Sequence, residues 1–237
     1  MIDRDQLVYA EQIRIVYSQT WSAIVGSSIG GGLFFWNFWT VVDSRVLFGW
    51  AACLILLLVG RASIYLAFLR RQVVAEQVRP WGRIYIIAVF LQGSIWGAPA
   101  LIFIPVPDPI YNVIVAMWMI GFSAASISAY SVYMKVLLAF FIPTMLPGSI
   151  HLISLGGQLN IAVGIALCVY SVIVIRAVLP INRLMINAIK LNFKLEEEIE
   201  ERKKVESKLR EMSLTDGLTQ LPNRRRFDEV FEREFRR

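Results

Sequence analysis

Apolar residues in this 237-residue chain form long unbroken runs as far as Pro180 and a spaced, periodic pattern after it. A bilayer hydrocarbon core about 30 Å thick takes about 20 apolar residues of helix. Six stretches meet that length: residues 20–42, 46–69, 83–104, 110–132, 136–155 and 159–180. The links between them are 43–45, the longer 70–82, the proline-bearing 105–109, 133–135 and 156–158. Connections this short join antiparallel neighbours, so the pattern predicts an all-α, polytopic six-helix transmembrane bundle of hairpins. Residues 1–19 are polar enough to form a cytoplasmic or interfacial helix ahead of the membrane region, 20–180.

Beyond Pro180 the hydrophobic period changes. Taking Ile181 as an a position puts Ile181, Ala188, Leu195, Arg202 and Leu209 at a, and Leu184, Leu191, Glu198, Val205 and Met212 at d; eight of these ten are apolar. The segment 181–212 therefore predicts a short parallel coiled coil, and with it a homodimer. Its core positions are Leu184, Leu191, Leu195, Val205, Leu209 and Met212, and its weak middle is at Glu198 and Arg202. A register using Ile199 in place of Glu198 fits that middle better. Two near-equal registers in one helix suit a switch, while an imperfect amphipathic helix fits the same pattern. Glu198 with Arg202 and Glu200 with Lys204 are spaced for ion pairs one turn apart.

Composition sharpens this division. The chain is 57% hydrophobic and 18% charged, but of its 42 charged side chains only 16 lie in residues 1–182 and 26 lie in 183–237. That imbalance excludes a disordered chain, a small disulfide-rich domain and a single soluble globule. Cys53 and Cys168 fall in apolar runs and read as small buried hydrophobes. A net charge of +6 invites a nucleic-acid reading, yet the cations flank apolar runs, which is topology rather than a phosphate track. Arg4, Arg14, Arg70, Arg71, Arg79, Arg83, Lys135, Arg176 and Arg183 fall on one side of the six spans, and Arg45 alone on the other. Both termini are therefore expected in the cytoplasm. The first twenty residues carry Asp3, Asp5 and Glu11 and show no cleavable signal peptide. Trp21, Trp36, Trp39, Trp50 and Trp81 lie near span ends, as an aromatic belt would.

Polar groups inside the spans are the candidates for sensing. Arg61 and Gln92 are costly there unless paired or turned inward, and Arg61 is the leading candidate for an internal polar contact; a shorter second span would instead leave it at the interface. His151, the only histidine, is expected near the outer end of the fifth span, in a hydrogen-bonded packing role more than as a proton sensor or metal ligand. Ser22, Gly26 and Gly30 on the first span, and Gly121, Ala125 and Ala129 on the fourth, read first as packing seams and second as a pocket or dimer contact. Pro99, Pro143 and Pro147 are expected to kink their helices. A transporter would carry paired intramembrane carboxylates or repeated halves, and neither is visible.

The most specific segment is Ser213-Leu214-Thr215-Asp216-Gly217-Leu218-Thr219-Gln220-Leu221-Pro222-Asn223-Arg224-Arg225-Arg226-Phe227. Thr215 or Asp216 suits a cap and Pro222 a helix start, while Phe227, Val230, Phe231 and Phe235 line one face of a following helix. The stretch resembles the opening of a GGDEF domain, the catalytic domain of bacterial diguanylate cyclases. That domain begins with a D-x-L-T-x-L-x-N-R-R signature directly after a signalling helix. Asp216, Leu218, Thr219, Leu221, Asn223, Arg224 and Arg225 match it, over a resemblance of about 25 residues within 213–237. The six-span region is similar in architecture to the MASE kind of integral-membrane sensory module.

The resemblance implies a bacterial inner-membrane, multi-pass protein. In its parent form two GGDEF domains, each holding one GTP, condense the pair into cyclic di-GMP with Mg²⁺ or Mn²⁺. The nucleotide and metal residues belong to later motifs that have no counterpart up to Arg237. The chain alone is therefore expected to be inactive, to hold no cofactor and to carry no catalytic residue. What the resemblance does carry over is a hinge at Asp216 and Thr219, tied to the first helix by Asn223, Arg224 and Arg225. The expected partners are the lipid bilayer, a second copy of the chain and an unidentified stimulus. Alternatives are a non-enzymatic ligand-binding or dimerising membrane module and, less favoured, a transporter fragment. A histidine-kinase sensor is disfavoured because the tail has no histidine to phosphorylate.

Overall fold

The computed structural model of the chain describes residues 4–71, 73–103, 109–214, 231, 232, 235 and 236, with the backbone alone over 210–214. Among these residues the fold is all-α. Helix α1 (Arg4–Ser18) is followed by α2 (Thr20–Phe38), α3 (Ser44–Arg70), a 3₁₀ turn (Ala75–Gln77), α4 (Val78–Gly97), the short α5 (Pro99–Ile102), α6 (Ile110–Tyr130), α7 (Met134–Leu155) and α8 (Gln158–Leu214). The chain forms two compact units, Met1–Asn187 and Ala188–Arg237.

Five helical segments are long and apolar enough to cross a membrane: Ser44–Arg70, Ala75–Ile102, Ile110–Tyr130, Met134–Leu155 and Gln158–Leu209. Helix α2, at 19 residues, falls outside that set because Gly26, Ser27, Ser28, Gly30, Gly31, Gly32 and Asn37 dilute its apolar content. The surface is apolar where a soluble protein would be polar. On α3, Leu47, Trp50, Leu54, Leu58 and Arg61 face inward, while Ile55, Leu56 and Val59 face outward, Leu56 with 71% of its surface exposed. Polar groups inside and bare aliphatic side chains outside are what a lipid solvent selects. The fold is thus compatible with a multi-pass membrane protein.

Local chemistry sets the helix ends. The Asp43 carboxylate caps α3 by accepting the Arg45 backbone N–H at 2.8 Å. Helix α4 begins at Val78, inside the link expected over 70–82, because Pro80 sits in the first turn, where its missing N–H costs no intrahelical bond. Pro99 separates α4 from α5 at Ala98, whereas Pro143, Pro147 and Pro180 lie inside α7 and α8. The α7–α8 turn uses Gly156 and Gly157 at φ 72° and 75°, a backbone conformation that side chains resist.

The core of the first unit is α4 against α7. An added Cβ at Gly93 would overlap the Phe140 carbonyl, and one at Gly97 the Pro143 carbonyl, so these two glycines let the backbones touch. Thr144 Oγ1 donates to Phe140 O at 2.7 Å and lies 3.1 Å from Gly93 O, closing the seam with polar contacts. Aromatic clusters fill both ends of the bundle. Phe34, Trp50, Trp96 and Phe103 pack at one, with the Trp96 and Phe122 rings stacked at 3.5 Å. Tyr17, Phe68, Trp81 and Tyr85 pack at the other, with Tyr17 and Phe68 stacked at 3.9 Å.

Two expectations are corrected here. Trp50 is not a belt residue: it is buried and donates its indole N–H to Ile95 O at 2.8 Å, since the aromatic cluster offers both area and an acceptor. The cysteines are free but not buried in protein. Cys53 is exposed and Cys168 intermediate, because the apolar runs that hold them turn those faces outward.

In the second unit, Leu191, Leu195, Ile199, Val205 and Leu209 are all exposed, so the apolar positions of both coiled-coil registers are uncovered; Leu184, earlier on α8, is exposed too. Met212 lies where the backbone alone is described. Glu200 pairs with Lys203 at 3.8 Å, three residues on, rather than with Lys204.

Candidate functional site

Arg61 projects from α3 into the bundle with 2% of its surface exposed. Its Nη2 donates to the Tyr85 hydroxyl at 3.2 Å and lies 3.4 Å from the Tyr130 hydroxyl. The guanidinium carbon sits 5.4 Å from the centroid of the Tyr85 ring, adding a cation–π contact. Tyr85 is the hub of the group. Its hydroxyl donates to Val16 O at 2.6 Å and accepts from Thr20 Oγ1 at 3.3 Å, which ties α4 to α1 and α2. Beside it, Tyr17 packs at a 4.7 Å ring separation and donates to Trp81 O at 3.1 Å. Burial, reinforced by Tyr85, holds the Tyr17 phenol well above its ordinary value.

A guanidinium keeps its charge in any protein setting, and among the described residues no carboxylate pairs with Arg61. Tyrosine oxygens and one ring face are what stabilise it, and Nη1 is buried with no partner. An interior cation held by neutral groups is conformationally demanding: any motion that withdraws Tyr85 or Tyr130 strands the charge. The internal polar contact expected of Arg61 is therefore present.

Gln92, about two turns beyond Tyr85 on α4, is 3% exposed and donates to Ser27 Oγ of α2 at 2.7 Å, while its Oε1 has no partner. It lines a cavity of about 190 Å³ between α2, α4 and α6. Ser22 and Gly26 face this space from α2, and Ala125, Ser126 and Ala129 from α6. The two expected seams thus flank a cavity over most of their length. They close at Gly30, where an added Cβ would strike the Phe122 ring. His151 lies apart from both groups on α7; its Nε2 is buried without a partner, so that nitrogen lacks the bond a hydrogen-bonded packing role requires.

The hinge residues Asp216, Leu218, Thr219, Leu221, Asn223, Arg224 and Arg225 lie outside the described residues. No family model, curated protein or solved structure matches the chain. Among the described residues no cluster of three His, Cys, Asp or Glu side chains is placed to hold a metal ion.

Sequence reasoning missed the partners of Arg61. Tyr85 and Tyr130 stand 24 and 69 residues from it, too far for a local pattern to join them. The available signal was a phenol within an apolar run, which needs a polar contact once buried. It also missed Asn112 on α6, buried and donating to Asn160 Oδ1 of α8 at 2.8 Å.

Proposed function

We propose that this chain is the membrane sensory and signal-transmitting region of a diguanylate cyclase, with six spans, both termini cytoplasmic and a parallel homodimer formed through the stripe from Leu184 to Met212. The observation that carries the reading is the motif at 216–225, which follows directly on a helix, Gln158–Leu214, whose first part is apolar and whose last part is charged with an exposed apolar stripe. A stimulus that repacks the bundle would shift α8, change which residues meet in the dimer and so control how two catalytic domains face one another.

A hydrogen-bond junction supports such a route. The Val132 carbonyl, in the α6–α7 turn, accepts from Gln12 of α1 at 2.7 Å and from Asn182 of α8 at 3.0 Å, and Asn182 also donates to Ser131 O at 2.7 Å. The reading frame past Arg237 in the source genome tests the assignment: a continuing frame with a G-G-[DE]-E-F motif is expected, and an unrelated domain would refute it. Cyclic di-GMP made from GTP by the purified 237-residue chain would refute the expectation that these residues sense and transmit rather than catalyse. A non-enzymatic ligand-binding module is the second reading, favoured by the cavity at Gln92, and it predicts no such downstream motif.

A further inference from the structure

We propose that the groove between α1, the start of α4 and the α6–α7 turn binds a phosphate-bearing anion, either the headgroup of an acidic lipid or free phosphate. The groove has a volume of about 460 Å³ and is lined by Asp5, Gln6 and Tyr9 of α1, Arg79, Arg83 and Ile86 of α4, and Tyr133 and Lys135 of the turn and α7. Three cations face one carboxylate there.

Charge repulsion argues for an anion. Arg79 and Arg83 are one turn apart on the same helix face, a like-charge spacing that destabilises a helix. No acidic residue occupies the first turn of α4 to offset them. Among the described residues none of Arg79, Arg83 and Lys135 makes an ion pair, whereas the exposed Arg14 of α1 reaches Glu11 at 3.5 Å. Local conflict of this kind, with Asp5 as the one carboxylate among the groove's lining residues, marks functional positions.

The walls are built rather than incidental. Gln6 donates to Ala75 O at 3.3 Å and Gln12 to Val132 O at 2.7 Å, which ties α1 to the 3₁₀ turn leading into α4 and to the α6–α7 turn. The Tyr9 hydroxyl seats on Gly82, where any Cβ would overlap it, and the Tyr9 and Tyr133 rings meet edge to face at 5.7 Å. The result is an apolar, aromatic floor with phenol donors under a basic rim, at the end of an apolar helix. Basic pockets between membrane helices recognise phosphate headgroups by this combination of charge-assisted hydrogen bonds and apolar contact. The proposal does not rest on the cyclase reading.

The test uses the full chain reconstituted in phosphatidylcholine nanodiscs with or without phosphatidylglycerol, with retained lipids counted by native mass spectrometry. A parallel arm adds inorganic phosphate to detergent-solubilised protein and reads the thermal shift. Preferential retention of phosphatidylglycerol is expected, falling about tenfold or more in Arg79→Gln/Arg83→Gln/Lys135→Gln. Arg70→Gln, which removes an exposed cation outside the groove, is expected to stay within about twofold of the parent chain. If the triple variant does not fold, Arg83→Gln alone carries the test, with about a threefold loss expected. A response to phosphatidylglycerol alone supports a lipid-headgroup site, a response to phosphate alone supports a soluble anion, and a response to both supports the shared chemistry. Silence in both arms, or an equal loss in Arg70→Gln, overturns the proposal.

Discussion

Replacing Tyr85 by phenylalanine removes a single oxygen, and the structure assigns that oxygen three hydrogen bonds: to Val16 O at 2.6 Å, from Thr20 Oγ1 at 3.3 Å and from Arg61 Nη2 at 3.2 Å. Ring packing and the cation–π face are kept, so the loss isolates the hydroxyl. Neutral side-chain bonds in membrane proteins average about 0.6 kcal/mol each, and a bond to a charged group contributes about 1.5 to 3 kcal/mol. The substitution should therefore cost about 3 kcal/mol. With Arg61→Met already in place the charged bond is gone, and Tyr85→Phe should then cost only about 1 kcal/mol. The difference, a coupling of about 2 kcal/mol, is the quantity to measure in a double-mutant cycle. Equilibrium unfolding of the purified chain in mixed micelles supplies the four free energies. Additive effects, or a Tyr85→Phe cost below about 0.5 kcal/mol, would refute the view that Tyr85 holds the buried cation.

Three further outcomes follow from the packing and burial. Gly93→Ala forces a Cβ into the Phe140 backbone carbonyl and should destabilise by about 3 kcal/mol or more, whereas Gly26→Ala and Gly121→Ala open onto empty space and should be neutral or gain up to about 1 kcal/mol from helix propensity; the same unfolding assay distinguishes them. In a background with Cys53 and Cys168 replaced by alanine, Leu195→Cys and Leu209→Cys should cross-link between subunits, and consistent failure would count against the parallel dimer. Burial, followed by Tyr9, lifts the Tyr133 phenol from its ordinary 10.0 to about 12. The neutral form is thus favoured in the fold, so its contribution is present below pH 10.0 and lost as pH rises toward about 12. The tyrosinate absorbance difference between the parent chain and Tyr133→Phe reads this directly, and an ionisation near 10.0 would contradict the burial.

The chain's pattern made the helical, apolar nature of the bundle legible, because spans need only length and local composition. Arg61 was legible for the same reason: a cation among aliphatic residues must find a partner. Which partner was not, since Tyr85 and Tyr130 come from other helices and only packing brings them together. Trp50 shows the reverse failure, as a tryptophan near a span end fits a lipid interface equally well until its neighbours are known. The pair Gly93 and Gly97 carried the G-x-x-x-G spacing of a close helix contact, but small residues on α2 and α6 looked just as suitable and instead border a cavity. The start of α4 was hidden by Pro80, which reads as a breaker unless it falls in a first turn.

The Val132 carbonyl has two lone pairs, and two side-chain amides from opposite parts of the first unit are bonded to it. A displacement of α1 by an ångström or so therefore cannot be absorbed silently. It must stretch the Gln12 bond, drag the turn, or change the angle available to Asn182, two residues after Pro180. One oxygen atom acts as a common terminal for the first helix and the last, where a shift in either becomes a mechanical load on the other.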